Sequence, residues 1–170
     1  MKRLFKVALV AGCMLLTAGF AKAQTKIGHI NFNQLIEAMP ELKPVQTQLQ
    51  AYQKTFMDQL QTMSGELQTK GAAYEKNRAT MTDATRTATE TELQDINKRI
   101  QDFQNTAQQQ VQAKSAELYK PLGDKARAAV STVAKEKGYA YVIDSGQTEL
   151  IVSPAGDDLM PSVKLKLGLK

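Results

Sequence analysis

Residues 42–74 read LKPVQTQLQAYQKTFMDQLQTMSGELQTKGAAY, and the spacing of their apolar members decides the fold. After Leu42 the apolar positions are Val45, Leu49, Tyr52, Phe56, Leu60, Met63, Leu67 and Tyr74, with Gly71 filling one step of the series. From Val45 the steps run 4, 3, 4, 4, 3, 4, 4, 3. Their mean is about 3.6 residues, the period of one stripe on a nearly straight α-helix and not the roughly 3.5 of a tight left-handed coiled coil. A fainter stripe follows through Leu93, Ile96, Ile100, Phe103, Ala107 and Val111. Helices over 41–78 and 83–119 would each be about 55 Å long at about 1.5 Å per residue. A chain of 170 residues cannot enclose arms of that length, so they must project. Between them, across Asn77-Arg78-Ala79-Thr80-Met81-Thr82-Asp83, the apolar register resets. Thr82 is an N-cap for the second helix and Asp83 suits its positive end, which places the hairpin turn near 77–83 with the arms antiparallel.

Working outward, Thr25–Ile30 reads as a short strand anchored by Ile27 and Ile30. Asn31 caps a short helix through Leu35, Ile36 and Ala38, which Met39-Pro40 ends because the residue before proline is pushed out of the helical region. Pro44 fits only inside the opening turn of the first long helix. On the returning side, Lys120-Pro121 is expected to kink or interrupt the helix, with Leu122, Ala126, Val130 and Val133 carrying an apolar face onward to a stop at Lys135, Lys137 and Gly138. Tyr139–Ile143 and Glu149–Val152 read as two strands of a hairpin around the loop 144–148. Asp158 caps a last helix, Leu159–Leu167, closed by Gly168. The expected fold is α+β and mostly α. In it a long antiparallel helical hairpin, 41–119, protrudes from a small β-containing body made by both chain ends, 24–40 and 120–170. Three short strands leave open edges, and a shared sheet in a symmetric oligomer closes them most simply.

The first 23 residues carry a different signal. Lys2, Arg3 and Lys6 precede an apolar run from Val7 to Phe20 and a small-x-small site, Ala21-Lys22-Ala23. That is the pattern of a secretory signal peptide, and the run is shorter than the roughly 20 residues a membrane span needs. Val10-Ala11-Gly12-Cys13 offers a lipoprotein box instead. It is the weaker reading, since almost no apolar core precedes Cys13. Of the 22 lysines and arginines four lie in this leader, leaving 18 against 17 acidic residues, a net of +1. Charge therefore gives no case for nucleic-acid binding, and the exported chain would contain no cysteine to form a disulfide.

Chemistry is sparse. His29 is the one histidine and stands on a strand without ligand-spaced neighbours; no phosphate-binding glycine loop or nucleophile motif occurs. Asp157-Asp158 reads as capping at a loop–helix junction. An enzyme is not expected, and no cofactor or metal site is legible. The turn region is locally basic, with Lys70, Lys76, Arg78 and Arg86 against Glu75 and Asp83. That raises the expectation of contact there with an acidic partner or a membrane surface. Met57, Met63 and Met81 add flexible apolar side chains suited to promiscuous contact, and Met57 lies just off the stripe.

Laid out in order, these segments resemble the Skp/OmpH family of periplasmic chaperones. The resemblance rests on Ile27-Gly28-His29-Ile30-Asn31, Glu37-Ala38-Met39-Pro40-Glu41, Glu92-Leu93-Gln94-Asp95 through Asp102-Phe103-Gln104, Val133-Ala134-Lys135-Glu136-Lys137-Gly138-Tyr139 and Asp158-Leu159. It implies a jellyfish-like homotrimer with a β-rich body and three hairpins around a cavity. It also implies an ATP-independent holdase that binds unfolded outer-membrane proteins in the periplasm of a Gram-negative bacterium and keeps them soluble for assembly. On that reading the client-contact candidates are Met57, Met63, Tyr74, Met81 and Phe103, with Lys70, Lys76, Arg78 and Arg86 at the tip. The oligomer-interface candidates are Ile27, Ile30, Tyr141, Ile143, Leu150 and Val152. The near-neutral exported chain departs from strongly basic family members, and no basic cluster matches the family's proposed lipopolysaccharide site. A structural adaptor whose hairpin docks a fixed envelope partner is the alternative.

Overall fold

A computed structural model describes residues 25–169. The leader expected over 1–23, with Cys13, lies outside the described residues. The element order is β1 (Ile27–Ile30), α1 (Phe32–Glu37), α2 (Leu42–Asn77), a 3-10 turn (Arg78–Thr80), α3 (Asp83–Glu136), β2 (Tyr141–Asp144), a second 3-10 turn (Ala155–Asp157) and α4 (Met160–Leu167). The architecture is mostly helical, with a long α2–α3 hairpin and a two-stranded sheet made by the two chain ends.

Local chemistry explains most boundaries. Asn31 Oδ1 accepts from the Gln34 backbone N–H at 3.0 Å and starts α1. Pro44 sits in the first turn of α2, where its missing N–H costs no helical hydrogen bond. At the hairpin turn Thr82 Oγ1 accepts from the Thr85 N–H at 3.3 Å. At the far end of α3, Gly138 takes φ +73, its N–H donates to Lys135 O, and the Tyr139 N–H donates to Ala134 O. These two bonds make a Schellman stop, and a left-handed residue there favours glycine. Gly168 closes α4 in the same way, with φ +71 and the Leu169 N–H on Lys164 O.

Two expectations are corrected. Pro121 does not interrupt α3, which runs 54 residues without a break. An internal proline costs about 3 kcal/mol. The cost is offset because Leu122, Ala126, Ala129 and Val133, all buried, keep one helical stripe on the core beyond it. The second correction concerns the strands. β2 does not form a hairpin with 149–152. It pairs parallel with β1, Ile27 opposite Tyr141 through Ile30 opposite Asp144, and the whole helical excursion is the crossover. Residues 149–152 are not a strand, and Ile151 and Val152 are 97% and 80% exposed. The chain turns away after Asp144, whose carboxylate accepts from the N–H groups of Phe32 (3.1 Å) and Gly146 (2.9 Å). Among the described residues Ile151 and Val152 then find no surface to bury against.

The core lies where α1, the sheet, α4 and the last third of α3 meet. Leu35, Ala126, Leu159 and Val163 have no exposed surface. Gly28 is required there: a Cβ at that position would stand 2.3 Å from Leu159 Cδ1 and 3.1 Å from the Tyr139 ring. Tyr139 closes this corner, its hydroxyl donating within reach of Gly156 O and Asp157 Oδ1, both at 3.1 Å.

Candidate functional site

The hairpin is a two-helix ribbon with one contact seam. Leu49, Tyr52, Phe56, Leu60, Met63 and Leu67 of α2 are half-buried against Leu93, Ile96, Ile100, Phe103 and Ala107 of α3. Aromatic edges bind its middle: Tyr52 meets Phe56 edge-on at 5.0 Å, and Phe103 tilts against Phe56 at 5.9 Å. Polar bridges stitch one side of the seam, including Tyr52 to Gln110 (3.3 Å), Lys70 to Glu92 (2.5 Å) and Arg99 to Glu66 (3.9 Å).

The apolar residues singled out on the arms divide sharply. Met63 and Phe103 lie in the seam. Tyr74 is 7% exposed, and its hydroxyl donates to Glu90, a hydrogen bond that with burial raises the phenol's pKa. Met81 is half-buried at the turn. Met57 alone stands out, 68% exposed. At the tip, Lys70 is engaged by Glu92, whose hydrogen bond raises the lysine's pKa, and Arg86 pairs with Asp83 at 3.3 Å. Arg78 lies 5.9 Å from the Tyr74 ring, and Lys76 is exposed. The tip's positive charge is thus partly neutralised by its own neighbours, and exposed ion pairs of this kind are worth little.

The body carries the second set. Ile27 and Tyr141, opposite each other at one end of the sheet, are 49% and 66% exposed. Ile143 is half-buried, whereas Ile30 is 2% exposed and belongs to the core of its own chain. Leu150 and Val152 fall in the irregular segment after β2. β2 pairs only with β1, so the other edge of Tyr141–Asp144 has no strand partner among the described residues. Beside it opens a groove of about 640 Å³ whose lining includes the apolar Phe32, Val130, Ala134 and Val142 and the charged Arg127 and Lys135. Sequence reading missed this groove, which α1, α3 and β2 build together. It also passed over Ile151 by assigning it to a paired strand; its place in the apolar run Leu150-Ile151-Val152 was the available signal.

Among the described residues nothing brings a nucleophile, base and electrophile together. His29 Nε2 lies 3.3 Å from Pro154 O, an ordinary loop contact. Among the described residues no group of three potential ligands could hold a metal, and no helix is long and apolar enough to cross a membrane. What the molecule offers is surface: a long arm and an open sheet edge.

The comparisons agree with that geometry. Residues 26–167 match the family described as Outer membrane protein (OmpH-like). The Chaperone protein Skp of Photorhabdus luminescens is 27% identical over 167 residues, covering 96% of this chain and 97% of that protein. The Chaperone protein Skp of Photorhabdus laumondii subsp. laumondii is 26% identical over the same length, with the same coverage. The chain belongs to the OmpH-like family, and the two relatives that it matches along nearly their whole length are named as chaperones.

Proposed function

We propose that this protein is an ATP-independent holdase that binds unfolded outer-membrane proteins in the periplasm of a Gram-negative bacterium and keeps them soluble for membrane assembly. The observation that carries the reading is the hairpin. Helices of 36 and 54 residues stand against a body whose buried cluster has only eleven residues, and about half of the chain is arm. A long arm with a single thin seam presents many weak contact sites. Weak contacts in number hold a chain firmly while each one exchanges, which permits release without a nucleotide step. The name of the two Photorhabdus relatives supports the reading, as does the leader expected over 1–23, which would export the chain.

The working form in this reading is a self-assembled ring, a trimer by family resemblance. The open edge of β2, the adjacent groove and the exposed Ile151 and Val152 are the surfaces that copies would bury on one another. A head-to-tail contact of edge to segment closes into a ring when the rotation allows it. The client would then sit among the arms.

The test is direct. A urea-unfolded outer-membrane barrel protein is diluted into nucleotide-free buffer with increasing amounts of the purified protein, and light scattering is followed. Suppression saturating near one oligomer per client is expected. Unchanged scattering at several-fold excess would overturn the reading and favour an adaptor that docks a fixed envelope partner.

A further inference from the structure

The residues just after the seam positions form a second pattern. On α2 they are Gln46, Gln50, Gln53, Met57, Gln61, Ser64 and Gln68, each one residue beyond Val45, Leu49, Tyr52, Phe56, Leu60, Met63 and Leu67. On α3 they are Gln94, Asn97, Gln101, Gln104, Gln108 and Gln112, each one residue beyond Leu93, Ile96, Ile100, Phe103, Ala107 and Val111. All thirteen are exposed. One residue is a turn of about 100° around a helix. In an antiparallel pair the two helices wind in opposite senses when viewed from one end, so both rows swing to the same side of the ribbon.

The cross-helix bridges check this geometry. Glu66 with Arg99, Lys70 with Glu92, and Tyr52 with Gln110 all join the helices, and five of these six residues stand one position before a seam residue. The side before the seam is therefore the ionic side. The side after it carries amides, one serine and one methionine, with no charged residue in either row from Gln46 to Gln68 or from Gln94 to Gln112; Glu75, after Tyr74, adds a charge only toward the turn. None of its glutamines makes a side-chain hydrogen bond among the described residues, and Asn97 bonds only to Leu93 O of its own helix.

We propose that this amide face is the surface that meets the client, and that its partner is the unpaired backbone of an extended polypeptide. The proposal deepens the holdase reading and rests on it. A side-chain amide both donates and accepts, as a peptide group does, so it matches an unpaired N–H and C=O without regard to client sequence. Each such bond is worth little net against water, which suits a surface that must hold and let go. The apolar alternative is thin, because Met57 is the only large apolar side chain of α2 and α3 that is well exposed. A charged surface would pull clients through salt-sensitive attraction, and neither row contains a charge.

The probe is a fluorescently labelled, urea-unfolded outer-membrane barrel protein titrated with the purified protein at low and high salt. The variant Q46A/Q50A/Q53A/Q101A/Q104A/Q108A removes about half of the face with a residue that favours helix, so circular dichroism should stay helical. Q101A/Q104A/Q108A repeats the test on one helix. Affinity is expected to fall about tenfold or more in the six-site variant and less in the three-site one, as multivalent contacts are lost. Q48A/Q59A/Q110A, which lie before the seam, should change it by less than about twofold, and so should raised salt. Wild-type affinity in both amide variants, or loss confined to Met57→Ala or to high salt, would overturn the amide face and leave the holdase standing. Wild-type protein that binds no unfolded barrel would remove both.

Discussion

The body and the arm are built on opposite principles. In the body, Leu35, Ala126, Leu159 and Val163 are wholly covered by α1, α3, α4 and the sheet. Along the arm only Tyr74, Ile96 and Ala107 are buried, and the other seam residues are half wet. Full burial of a large aliphatic side chain contributes about 1.5–3 kcal/mol, so stability is concentrated at one end of the molecule. The arm holds its shape through helix propensity and a single seam. Regions with few buried contacts open locally at low cost. A rigid base carrying a soft, polar arm is what a surface for transient holding requires.

The largest effect expected from this contrast is in the body. Leu159→Ala should lower stability by about 2–5 kcal/mol, as a core truncation with little room to collapse. Urea unfolding followed by far-ultraviolet circular dichroism measures it, and a loss below about 1 kcal/mol would mean the core is not where burial places it. Next comes the tightest point of the arm. Ile96, 1% exposed, changed to Ala should cost about 2–3 kcal/mol, but locally. Hydrogen exchange should quicken in α2 and α3 around residues 63–100 while β1 and α4 keep their protection. Equal quickening in the body would show one cooperative unit and break the comparison.

A smaller change sharpens it in the other direction. Gly65 and Gly71 stand inside α2 with nothing within 4 Å of an added Cβ. Each Gly→Ala change should stabilise the arm by about 0.5–1 kcal/mol, read as a higher hairpin melting temperature. If softness serves holding, client release should slow in the same variants. The smallest effect is a pH effect at the joint between the two regions. The Lys125 hydrogen bond holds the Glu41 carboxyl below its ordinary value of 4.5. A depressed carboxyl contributes stability that is fully present above that ordinary value and is lost as pH falls through the folded value. Both side chains are about half exposed, so screening keeps the contribution small. An acid titration of Lys125→Met should therefore differ from wild type only slightly, and only above pH 4.5 should the gap be complete.

Much of this was legible in the residues. The step pattern from Val45 to Tyr74 specified α2, and Thr82 with Asp83 located the turn, because helix period and capping are local properties. Gly138 and Gly168 announced helix ends for the same reason. Pro121 misled, since its local cost is outweighed by packing at Leu122 and Ala126 that no local pattern displays. Glu149–Val152 misled in the opposite way: it has the composition of a strand, but one chain provides it no neighbour. The arm's candidate residues show the deeper limit. Met57, Met63, Tyr74 and Phe103 look alike as apolar residues on helices, and only the position of the partner helix separates the exposed one from those in the seam.

By itself, then, the sequence determined the helices, their ends and the hairpin, since each depends on residues close together along the chain. Tertiary structure alone decided that β1 and β2 pair in parallel, that Tyr74 and Ile30 are spent inside, and that two rows of amides share one side of the ribbon. Those outcomes depend on which surfaces remain uncovered after distant segments have packed, and no local pattern encodes a distance across the fold.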